Sequence, residues 1–84
     1  MNNKKILEGI ELELRKIKKE QKNFPDHLCG MAGMVTHEAG KLMEGAIINK
    51  YSQAFINKEE MIQYGLRTAA MAIRFVENIC KDAK

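Results

Sequence analysis

The chain is short of the residues that most catalytic and binding chemistries need. It has a single serine, Ser52, so a Ser/His/Asp nucleophile arrangement has no basis. Its two cysteines, Cys29 and Cys80, show neither CxxC spacing nor a histidine partner pattern, which argues against a zinc–thiolate site. Both fall in apolar helical stretches, where buried thiols are expected. No apolar run approaches the ~18 residues that span a bilayer, and no apolar leader segment is visible. There is no Walker-type glycine loop and no basic recognition helix with interleaved polar readers. Strand alternation, internal repeats and low-complexity segments are absent as well. The expectation is a cytoplasmic protein that engages neither a membrane nor a DNA or RNA duplex.

What remains is helix-forming sequence. The 84 residues are 45% hydrophobic and 30% charged, with a formal net charge of +3, which fits one folded domain. The N-terminal lysines, among them Lys4, Lys5, Lys16, Lys18, Lys19 and Lys22, alternate with Glu8, Glu11, Glu13 and Glu20. That mixture reads as the solvated face of an amphipathic helix. Ile6, Leu7, Ile10, Leu14 and Ile17 supply its apolar stripe, with Asn2 or Asn3 as N-cap. This first element is expected over 1–22 and should end before Pro25, because the residue preceding proline avoids the helical region.

A second helix is expected over 25–50, opened by Pro25 and Asp26. It would bury Leu28, Met31, Ala32, Val35, Ala39, Leu42, Met43 and Ala46. Gly30, Gly33, Gly40 and Gly45 inside it each cost about 1 kcal/mol relative to alanine. Close approach of another helix or of a ligand would offset that cost. Tyr51 to Ile56 reads as a connecting loop with Tyr51 and Phe55 packed. Asn57-Lys58-Glu59-Glu60 has the form of a capping box opening a third helix over 57–81. Met61, Ile62, Leu66, Ala69, Ala70, Ile73, Val76 and Ile79 are its expected buried face. The fold class is therefore all-α, with three main helices in a single domain over 1–84. So small a core is marginal, and oligomerisation into a helical bundle is the expected remedy.

Two segments stand out chemically. Thr36-His37-Glu38-Ala39-Gly40-Lys41-Leu42 puts His37 and Lys41 one above the other. Tyr64-Gly65-Leu66-Arg67 does the same for Tyr64 and Arg67. Packed together, these faces would form a basic, hydrogen-bonding cluster beside Glu38. Arg67 would pair with Glu38 or Glu60. Arg74 would pair with Glu77 or line the same cleft.

From Asn23 to Glu77 the chain resembles the MazG-like all-α nucleoside triphosphate pyrophosphohydrolases, especially the short phage versions. Thr68-Ala69-Ala70-Met71-Ala72-Ile73-Arg74-Phe75 matches a run typical of them, and Glu38-Ala39-Gly40 matches the core of their first acidic motif. The resemblance implies a helical bundle completed by oligomerisation and an acidic cluster holding Mg²⁺. Here the family's acidic positions fall on His37, Glu38 and Lys41, then on Tyr64 and Arg67. A gapped placement brings in Glu60 and Gln63 instead. Mg²⁺ wants oxygen ligands, whereas lysine and arginine repel it and pair with phosphate directly. The resulting expectation is a cofactor-free, non-catalytic site for a small nucleotide-like anion, built from His37, Glu38, Lys41, Tyr64, Arg67 and Arg74. In a phage setting such a protein would act as a sponge for host immune signalling nucleotides. One alternative is an active Mg²⁺ enzyme using Glu38, Glu44, Glu60 and Gln63. Another is a structural or protein-interaction module whose cluster is only a salt-bridge network.

Overall fold

The computed structural model describes residues 2–51 and 58–82. Three helices account for nearly all of them: α1 (Asn3–Glu20), α2 (Leu28–Tyr51) and α3 (Lys58–Asp82). No strand occurs among the described residues. The expected loop residues Ser52 to Ile56 and the cap Asn57 lie outside the described residues.

Each observed boundary has a local cause. Asn2 caps α1: its Oδ1 accepts from the Lys5 backbone N–H at 2.9 Å. The Gln21 N–H closes the other end on the Ile17 carbonyl at 2.8 Å. The start of α2 differs from the sequence expectation at Pro25. His27 Nδ1 accepts from the Gly30 N–H at 2.9 Å, and its carbonyl takes the Met31 N–H at 3.0 Å. A histidine side chain therefore serves as N-cap, and the helix begins at Leu28.

α3 is the central helix, packed against both α1 and α2. Gly9 lies beside Leu66 and Ile17 beside Arg74, so α1 runs parallel to α3. Gly45 lies beside Met61 while Glu38 meets Arg67, so α2 runs antiparallel to it. The core is small: Ile17, Ala70 and Met71 are fully enclosed, with Ile10, Leu14, Phe24, Met34 and Val35 packed around them. Met31 and Leu66 are buried as well. Close packing explains the glycines at Gly30, where a Cβ would sit 2.6 Å from the His27 ring, and at Gly45. A Cβ at Gly45 would sit 3.1 Å from Met61 Sδ and 3.5 Å from the Tyr64 ring.

Much of the expected burial is not found. Leu7, Leu28 and Met43 are each about 60% exposed, and Ile62, Ile73 and Val76 are exposed too. Ala32 and Ala46 are also open, and so are both cysteines, which corrects their reading as buried thiols. The physical reason is geometric. Three helices with α3 in the middle bury one stripe of α1 and one of α2, and no described residue covers the remaining apolar faces.

Met71 and Leu7 test this partition. Met71→Ala is expected to cost about 2–5 kcal/mol in urea unfolding, because its cavity cannot fill with water. Leu7→Ala should stay within about 0.5 kcal/mol.

Candidate functional site

Glu13 falls at the centre of the α1 apolar stripe, one turn from both Ile10 and Ile17. Glu38 occupies the equivalent place on α2, among Met31, Val35 and Leu42. Both carboxylates are therefore carried into the protein by the same periodicity that buries their neighbours. Glu13 is 6% exposed and Glu38 only 2%. An unpaired buried carboxylate is costly, so each needs a cation.

Arg67 on α3 supplies it. Its Nε lies 3.3 Å from Glu38 Oε1, its Nη2 2.9 Å from Glu20 Oε2, and its Nη1 3.8 Å from Glu13 Oε2. One planar guanidinium thus ties all three helices together, using its donors in three directions. Lys16 approaches Glu13 at 3.5 Å and Lys41 approaches Glu38 at 3.9 Å. The three carboxylates are balanced by three cations. The Arg67 pKa is raised, first by its hydrogen bond to Glu20 and then by Glu38, with burial opposing. A cation whose folded pKa is raised contributes its full stabilisation below the unfolded pKa. It loses that contribution only as pH climbs through the folded value. For Arg67 that window lies far above neutrality.

The sequence-expected site residues do not converge on one cleft. Glu38, Lys41 and Arg67 meet in the ion-pair hub. His37 is exposed on the outer side of α2. Tyr64 is half-buried beside Gly45 and lines an open depression with Glu59, Glu60 and Gln63. Arg74 lies one heptad beyond Arg67 and has a different task. It donates to the Ile17 carbonyl at 3.4 Å and the Gln21 carbonyl at 2.6 Å, and its guanidinium sits 4.5 Å from the Phe24 ring centroid. Of the two alternatives for Arg74, contact with Glu77 is electrostatic only, and Glu77 forms its ion pair with Lys18 at 3.3 Å. Sequence reasoning missed Glu13 and Glu20. The available signal was a carboxylate inside an apolar stripe, repeated one heptad later.

The donor set does not fit Mg²⁺. The point where Glu13, Glu20 and Glu38 converge is filled by a guanidinium, and Lys41 stands beside it. In the gapped alternative, Glu60 and Gln63 line the open depression beside Tyr64 and Glu59. Among the described residues, no three His, Cys, Asp or Glu side chains are grouped to hold a metal. The chain matches no family model, no curated protein and no solved structure.

Arg67→Ala leaves Glu38 buried without its nearest cation and Glu13 with Lys16 alone. It is expected to destabilise the fold by about 3–5 kcal/mol, as is typical when one member of a buried pair is removed. Chemical denaturation followed by circular dichroism measures this.

Proposed function

We propose that this chain is a non-catalytic helical module that works as an assembly of its own copies. The observation carrying this reading is the uncovered apolar face of the α2–α3 hairpin. On α3, Ile62, Ala69, Ile73 and Val76 follow heptad spacing about half a turn away from Arg67. On α2, Leu28, Ala32, Ala39, Met43 and Ala46 form a second uncharged stripe. Two helices of 24 and 25 residues present a face of roughly 700 Å² at 1.5 Å per residue and ~10 Å width. A stable interface covers about 800 Å² per partner.

Gly65 supports the same reading. It sits on this face of α3, four residues before Ala69, and a Cβ there would meet nothing within 4 Å. The monomer therefore gives no packing reason for a glycine that costs about 1 kcal/mol in a helix. Close approach of a second helix backbone does. The resemblance to MazG-like bundles points the same way, and Arg67 among the carboxylates argues for a scaffold that has given up metal chemistry.

A second reading is favoured by one observation, the buried position of Arg74 with no carboxylate within 4.0 Å among the described residues. In it the assembly binds a nucleotide-derived anion without cleaving it. In a phage it would act as a sponge for host immune signalling nucleotides in the host cytoplasm. Thermal shift against nucleoside triphosphates, cyclic oligonucleotides and ADP-ribose, with Mg²⁺ and with EDTA, tests this. Binding predicts a shift that survives EDTA with the nucleotide recovered intact. A Mg²⁺-dependent shift with pyrophosphate released would instead establish the enzyme reading.

Sedimentation equilibrium tests self-association. The protein is expected to run as a dimer or larger at micromolar concentration, and Ile73→Glu should convert it to a folded monomer. Gly65→Ala should weaken the assembly while raising the stability of the Ile73→Glu monomer by about 1 kcal/mol. A wild-type protein that remains monomeric across this range would overturn the reading.

A further inference from the structure

A cavity of about 690 Å³ opens between the C-terminal ends of α1 and α3, lined by Lys18, Lys22, Phe24, Arg74, Glu77 and Lys81. Among the described lining residues, four are cationic and one is anionic, an excess of three positive charges. Part of this has an ordinary cause. Two helices end here, and each C-terminus carries about half a negative charge that attracts cations. Together they offset about one unit, leaving roughly two positive charges unmatched.

Arg74 gives the cavity a built floor. The residue is 6% exposed, held by two backbone carbonyls and stacked on Phe24. Among the described residues, no carboxylate lies within 4.0 Å of its guanidinium. Glu77 is engaged by Lys18 at 3.3 Å. Burial lowers the Arg74 pKa, with only Glu77 opposing. The hub shows the contrast: there every buried charge has an opposite partner, whereas here a buried cation faces an open cavity rimmed by lysines. Arg74 shares the charge of Glu77 with Lys18, and a bound anion would add a second counterion to offset the cost of its burial.

We propose that this cavity binds a phosphate-bearing small molecule of nucleotide size, with its phosphates held by Lys22, Lys81 and the floor guanidinium of Arg74. The inference rests on the anion-binding reading above and moves its site from the Arg67 hub to the far end of α3. Lysine supplies compact charge to phosphate oxygens without demanding a fixed fork geometry, which suits a rim. The volume lies within the range of small-molecule sites. Phe24 provides an apolar wall for the non-phosphate part. The hub is a poor rival, because a phosphate placed there would face Glu13, Glu20 and Glu38.

Inorganic pyrophosphate in EDTA buffer is the probe, titrated by calorimetry into the full chain. Lys22→Gln/Lys81→Gln is the informative variant, since both side chains are exposed and outside the core. It should weaken binding by about tenfold or more, the loss of two charge-assisted contacts. Lys4→Gln/Lys5→Gln, at the opposite end of α1, should bind like the wild type. Equal binding by the Lys22/Lys81 variant would overturn this site and leave the anion-binding reading standing. No pyrophosphate binding at millimolar concentration would overturn both.

Discussion

The structure depends on one guanidinium. Glu13 and Glu38 are buried because they stand in the apolar stripes of α1 and α2, and neither tolerates burial alone. Arg67 meets both and reaches Glu20 as well, so a single side chain on α3 fixes the relative rotation of three helices. The hydrophobic core is too small to set those rotations by itself: Ile17, Ala70 and Met71 are its only fully enclosed cluster among the described residues. Ion pairs of this kind add modest net stability, because desolvation offsets much of the attraction. Their contribution is specificity. Any other helix register would strand a carboxylate in apolar surroundings.

The same geometry explains what the fold leaves uncovered. Placing α3 between α1 and α2 spends its Arg67–Arg74 side on the hub and on the end of α1. The opposite side, with Ile62, Ile73 and Val76, is exposed among the described residues. A chain of 84 residues cannot bury all of its helical faces around one core. Self-assembly resolves this without altering the hub, and it makes use of a glycine that the single chain does not need. The cationic cavity at the far end of α3 adjoins that face: Glu77 and Cys80 line both the cavity and the apolar depression around Ile73 and Val76.

The helices were legible from apolar periodicity, and α1 and α3 lie within a residue or two of their expected spans. The start of α2 was not, because a histidine acting as N-cap leaves a weaker signature than the proline and aspartate just before it. Burial was legible only on the faces that meet another helix of the same chain. Ile17 and Leu66 were expected inside and are inside. Leu28, Met43, Ile73 and Val76 were expected inside because their spacing is helical, and spacing does not say whether a face meets its own chain or another. The motif residues were read as one cationic cluster. The structure draws Lys41 and Arg67 onto carboxylates, leaves His37 outside, and turns Arg74 towards the end of α1. Tyr64 is beside Gly45. What sequence reasoning lacked was α1, whose Glu13 and Glu20 were taken for surface charge although Glu13 sits in the apolar register.

The most direct test of the hub is a double-mutant cycle between Arg67 and Glu38, using Arg67→Met and Glu38→Gln and measuring unfolding free energy. A structural hub predicts strong coupling, with the double variant more stable than the sum of the single losses by about 1–3 kcal/mol. Losses that add within about 0.5 kcal/mol would contradict it, because Arg67 and Glu38 would then be independent and three helices would have to be held in register by something else.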